Sequence, residues 1–176
     1  MIFLGLCDIC GYYSELERGF LQRGIPCTLV NAYPDRSYAR STRPGWIGRI
    51  VEALAVRRVA AERGSVSRKI YTVVQAVAMY WLMVWSLFTC RVYVFAGGTS
   101  FFPPYDLWVL RAFGKRVILI FHGSDARPPY INGAVPCESP ADVDSCIAEA
   151  ARMKQRLKRI EPHVDVIVNH VLSSQF

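Results

Sequence analysis

Apolar and polar positions alternate along this chain in short blocks. Met1–Cys7 (MIFLGLC) is an apolar run of strand length, and a polar turn, Asp8–Tyr13, follows it with Gly11 inside. Ser14-Glu-Leu-Glu17 has the spacing of a capping box, in which a serine hydroxyl and a glutamate satisfy orphan amides reciprocally. It predicts a helix to Arg23 with Leu16, Phe20 and Leu21 on its apolar face, stopped by Gly24. Ile25–Val30 is the next apolar run. Strand, turn, helix and strand in this order make the βαβ unit of a parallel sheet.

The pattern then changes. Asn31–Gly48 is polar, with Pro34, Pro44 and many arginines, and reads as a long loop suited to a lid or a surface-binding segment. Ile50–Arg63 reads as a basic amphipathic helix, and Ser65 or Ser67 caps the next one. Ile70–Cys90 holds no charged residue across 21 positions, between Lys69 and Arg91. That length suffices to cross a bilayer. A span would put the first two strands and the later ones on opposite sides of the membrane, so a buried or membrane-leaning helix is the expectation.

Strands recur after it. Arg91–Ala96 ends in Gly97-Gly98-Thr99-Ser100, and Pro103-Pro104 breaks the chain before a short helix, Asp106–Phe113, with Asp106 at its positive end. Arg116–Phe121 (RVILIF) is a fourth apolar run. Ser139-Pro140-Ala-Asp142 starts a helix running to Glu161, with Ile147, Ala150, Ala151, Leu157 and Ile160 as its apolar face and Arg152, Lys154, Arg156 and Lys158–Arg159 outside. Asp165–Val168 is a fifth strand, ending at Asn169-His170. Five short strands alternating with helices predict an α/β domain, a doubly wound parallel sheet, over residues 1–176.

Composition narrows the partners. The chain has 176 residues, 52% hydrophobic and 20% charged, enough for one domain with a real core. It carries 21 Lys and Arg against 14 Asp and Glu, a formal +7, which favours anionic lipid or phosphorylated ligands. Its basic residues are not interleaved with aromatic ones as base-stacking surfaces require, which argues against nucleic acid. MIFLGLCDIC has no basic leader, so the expectation is a cytoplasmic protein, at most peripheral to a membrane, with six free thiols. Cys7-x-x-Cys10 raises a redox or zinc reading, but no second pair completes four zinc ligands.

In doubly wound sheets ligands bind beyond the carboxyl ends of the strands. Here those ends are Asp8–Tyr13, Gly97–Ser100, His122–Arg127 and Asn169–His170. Gly11 permits close approach of a ligand, a helix start beside it suits a phosphate, and Gly97-Gly98 offers the same from a neighbouring strand. The fingerprints of dinucleotide and P-loop sites are absent. His122 is either a hydrogen-bonded strand end or a ligand-binding or catalytic group. Asp125 either orients it or caps the following turn, and Arg127 either binds a phosphate or pairs with Asp125. Tyr12 and Tyr13 either wall a sugar or lipid site or cover the sheet edge.

The segment YDLWVLRAFGKRVILIFHGSDARPP resembles the amino-terminal domain of retaining GT-B glycosyltransferases of the glycosyltransferase-4-like group. The Gly11 turn and the closing VDVIVNHVLSSQF are similar to other parts of that domain. The resemblance implies a Rossmann-like acceptor domain facing a second domain across a cleft. Gly11 and His122 would line the cleft, supported by Gly123, Ser124 and Asp125. It implies no cofactor beyond the nucleotide-sugar donor, which is a substrate. It also implies a donor-gripping domain that these residues do not supply, so the chain alone is expected to be inactive as a transferase. Expected partners are a saccharide or lipid-linked acceptor, a donor domain or partner subunit, and an anionic membrane surface. The other expectation is a non-catalytic domain that binds a partner subunit or an anionic membrane.

Overall fold

The structure, a computed structural model, describes residues 1–33, 45–122 and 139–169. Five strands form one parallel sheet: β1 (Ile2–Leu6), β2 (Cys27–Asn31), β3 (Val92–Ala96), β4 (Arg116–Phe121) and β5 (Val166–Asn169). Their order across the sheet is β2-β1-β3-β4-β5. The helices are α1 (Tyr12–Gln22), α2 (Trp46–Ala60), α3 (Val66–Thr89), α4 (Tyr105–Ala112) and α5 (Pro140–Ile160). This is the doubly wound, Rossmann-like α/β sheet the strand pattern predicts.

Side chains alternate across the sheet with a period of two. Phe3, Tyr93, Phe95, Val117, Leu119 and Phe121 face one side, where Val51 of α2, Met79, Leu82 and Leu87 of α3, Leu107 and Leu110 of α4 and Ile160 of α5 cover them. Phe3, Tyr93, Phe95 and Phe101 form its aromatic centre, with Phe3 and Phe101 ring centroids 5.1 Å apart. Leu4, Leu29, Val94, Ala96 and Ile120 face the other side, where α1 supplies Tyr13, Leu16 and Phe20. Coverage is therefore unequal. Among the described residues α1 alone lies on this second face, and Val166 and Val168 of β5 stay exposed there, level with Ile118 and Ile120.

Several expectations change in detail. The helix after β1 starts at Tyr12, not after Ser14, and Gly11 stands at its cap with φ +75°. Asp8 does the capping: its Oδ1 accepts from the amides of Tyr13 (2.9 Å) and Ser14 (3.4 Å), and its Oδ2 accepts from the Ser14 hydroxyl. Glu17 does not reach back to the helix start. It is fully buried, and its Oε1 accepts from the Leu29 amide at 3.0 Å. A competing buried donor wins over a solvent-exposed capping contact. Leu21 is exposed rather than part of the apolar face.

β2 runs two residues later than expected at its start, and α2 begins at Trp46 rather than Ile50. In α5 the inward stripe is Cys146, Leu157 and Ile160, while Ile147 and Ala151 are exposed. The serine caps were correctly placed elsewhere. Ser65 accepts from the Arg68 amide, and Ser139 with Asp142 forms a complete capping box. Asp106 is near the start of α4 as expected, but buried, and its Oδ1 accepts from the Ser100 hydroxyl at 2.9 Å. Burial pushes its carboxyl above the ordinary range.

The hairpin of α2 and α3 is anchored at the carboxyl end of β2. Glu52 of α2 accepts from the Asn31 amide at 2.9 Å, and Gln75 of α3 donates to the Ala32 carbonyl at 2.9 Å. From there α3 descends to the opposite end of the sheet, where Arg91 donates to the Met1 carbonyl. The nine residues before Gln75 in α3 thus extend past the sheet, by about 13 Å at 1.5 Å per residue.

Candidate functional site

Strand order fixes where a ligand crevice opens. The chain moves outward from β1 to β2 and then returns to place β3 on the other side of β1. The connections leave β1 and β3 in opposite directions, so the loops beyond them diverge and leave a crevice. Its walls are residues 7–11 after β1 and Gly97–Ser100 after β3. β4 stands next in the sheet and ends at Phe121, with His122 one residue beyond it.

His122 is half-buried, and it meets the start of α1. Its ring centroid lies 4.8 Å from Tyr12 and 5.6 Å from Tyr13, both edge-on, and the two tyrosines contact each other at 5.5 Å. Edge-to-face contact sets the positive ring edge against the negative ring face. Nε2 of His122 lies 3.4 Å from the Tyr13 hydroxyl, and the tautomer decides which of the two donates. Tyr13 packs in one buried cluster with Val94 and Ala96 of β3 and Ile120 of β4. Tyr13 is fully buried, whereas Tyr12 keeps 37% of its surface exposed.

Gly11 has open space where a side chain would stand; its left-handed φ, not crowding, requires glycine. The start of α1 is less suited to a phosphate than its position alone implies. Asp8 already occupies the amides of Tyr13 and Ser14, so an anion there would meet a carboxylate. Gly97 also has its amide spent, on the Ile120 carbonyl at 2.8 Å. Gly98 has φ +79°, and the guanidinium of Arg156 from α5 lies against it, 3.0 Å from where a Cβ would sit. At this end of the crevice a cation, rather than a cradle of amides, would meet a ligand.

Of the residues singled out from sequence, the fold brings Tyr12 and His122 into contact and sets Gly11, Gly97 and Gly98 on the crevice walls. Gly123, Ser124, Asp125, Arg127 and His170 lie outside the described residues. Four further residues matter: Asp8 under the α1 start, Ser100 with Asp106 fixing the β3 loop, and Arg156. Asp8 carried a signal, as an acid at a strand end before a helix. Arg156 carried none, since its helix position reads as a solvated face.

Cys7 Sγ is directed at the Tyr33 carbonyl (3.9 Å), and Cys10 is exposed. Burial first and Glu17 second push the Cys27 thiol up to about 11. Among the described residues no group of three His, Cys, Asp or Glu side chains could hold a metal. No family model, no curated protein and no solved structure matches this chain.

Proposed function

We propose that this chain is the acceptor-binding half of a retaining glycosyltransferase, one that moves a sugar from a nucleotide-sugar to a membrane-linked or cell-envelope saccharide. The observation that supports the reading is the junction of His122 with Tyr12 and Tyr13 beside the β1–β3 crevice. A half-exposed tyrosine ring offers an apolar plate for a sugar ring, with polar groups at its margin. The imidazole beside it accepts or donates a hydrogen bond to a hydroxyl within reach. The chemistry asked of this half is positioning: it holds the acceptor hydroxyl in line with a donor sugar carried by another domain. Phosphate binding is not asked of it, consistent with Asp8 at the α1 start.

The test is a saccharide titration followed by NMR of the His122 imidazole and the Tyr12 ring. The reading expects both signals to move with at least one class of oligosaccharide or lipid-linked sugar. His122→Ala, folded by circular dichroism, should weaken that binding at least tenfold. Where the native enzyme is assayed in its own membranes, the same variant should lower transfer by about a hundredfold, the scale of a misplaced reacting group. Saccharides that leave both signals unmoved at millimolar concentration would sink the proposal.

A further inference from the structure

The α2–α3 hairpin carries a second surface, unrelated to the crevice. α3 is apolar on two opposite faces. Met79 and Leu82 pack into the core. At 100° per residue, Val66, Ile70, Val73, Val77, Trp81 and Phe88 fall on the opposite side, and all are exposed, Val66 at 72% and Phe88 at 81%. A helix on the surface of a soluble domain normally turns charge outward there. Here the stretch from Ile70 to Cys90 has none.

α2 widens the surface. Trp46, Ile50 and Leu54 line a groove of about 620 Å³ with Val74, Val77 and Trp81 of α3, and every side chain lining it is apolar. Charge is confined to the hairpin's flank and tip. Between Trp46 and Thr89 stand Arg49, Arg57, Arg58, Arg63, Arg68 and Lys69 against two acids, Glu52 and Glu62. Glu52 is already bound to the Asn31 amide.

We infer that the α2–α3 hairpin is a docking face for an anionic membrane leaflet, lying in the plane of the interface. Three features favour a bilayer. The apolar stripe runs the length of a 24-residue helix, about 36 Å, longer than a small protein partner's pocket would ask for. Indole rings sit on it with arginines at its end, the arrangement of interfacial helices on anionic lipid. A second copy is disfavoured, since it would bring one chain of formal charge +7 against another. The helix is long and apolar enough to span a bilayer. Crossing is opposed by its inner face, where Gln75 holds the Ala32 carbonyl and the Ser86 hydroxyl accepts from Tyr93. A spanning position would break these bonds and strip the sheet.

The experiment is flotation of the full chain with vesicles of phosphatidylglycerol and phosphatidylcholine, beside vesicles of phosphatidylcholine alone. The expected result is flotation with the anionic vesicles, at least tenfold weaker binding without phosphatidylglycerol, and release of the bound protein by alkaline carbonate. Val77→Glu and Trp81→Glu change exposed positions and should each lower binding at least tenfold. Arg57→Glu with Arg63→Glu, both exposed at the end of the hairpin, should do the same with the fold untouched. Brominated lipid should quench tryptophan fluorescence in the native chain. The inference is overturned by no flotation, by variants that float as the native chain does, or by carbonate resistance, which would make α3 a span. It is overturned too if sedimentation finds a dimer dissolved by Trp81→Glu with no affinity for vesicles. None of these outcomes depends on saccharide binding at the crevice.

Discussion

Asp8 is the residue on which the start of α1 turns. One carboxylate serves two backbone amides and a hydroxyl, so removing it orphans several donors together. Asp8→Ala should cost about 2 kcal/mol, the upper end of a lost helix cap. Asp8→Asn should cost less than half of that. Urea unfolding of the three proteins checks both values, and equal midpoints for Asp8→Ala and the native chain would remove Asp8 from this role. At the crevice, His122 was legible because an apolar run ending in a histidine announces a strand end. Its contacts were not. Tyr13 lies 109 positions away, and only the strand order brings the two rings together.

Among the elements, the same local motif succeeded once and failed once. At Ser139 the serine and Asp142 close the box in solvent. At Ser14 the fold offers Glu17 a buried amide, and with Asp8 accepting from its first turn the helix starts at Tyr12, two residues before that serine. Periodicity was equally uneven. α5 has a polar side that marks which face is which, and Leu157 and Ile160 turn inward as expected, while Cys146 replaces Ile147. In α3 both sides are apolar, so the pattern could not say which would be buried.

β5 depends on a different contact. Asp165, just before it, accepts from the Val117 amide at 2.8 Å and from Arg116 at 2.8 Å, and donates its own amide to the Val117 carbonyl. The Val117 amide, more than Arg116, holds its carboxyl below the ordinary range. The folded pKa is depressed, so the bond stabilises above the unfolded value of about 4 and is lost as pH falls through the folded value. Asp165→Asn should lower stability at neutral pH by about 1 kcal/mol. It should also flatten the pH dependence of unfolding below pH ~4. Thermal melts from pH 3 to 7 give both, and an unchanged acid slope would refute the assignment.

In the whole molecule, burial is graded along the sheet. β1 and β3 are central and covered on both faces, whereas β5 is an edge strand with all four residues exposed. Opening free energy follows buried contact, so native-state hydrogen exchange should release β5 amides first and those of β1 and β3 last. Uniform protection across the five strands would contradict that gradient. The parallel sheet was legible from alternating strand and helix blocks and the handedness of their connections. Unequal coverage of its two faces was not, because it depends on which side each crossover passes.

The reach of α3 beyond the sheet has a kinetic meaning. With the hairpin seated in a leaflet, the crevice mouth stays within a short tether's length of the headgroups. A ligand carried on a lipid then arrives by lateral diffusion, and its effective concentration is set by its surface density and tether length. Diluting such a ligand with inert lipid would slow its capture, whereas adding buffer at constant lipid composition would leave capture nearly unchanged.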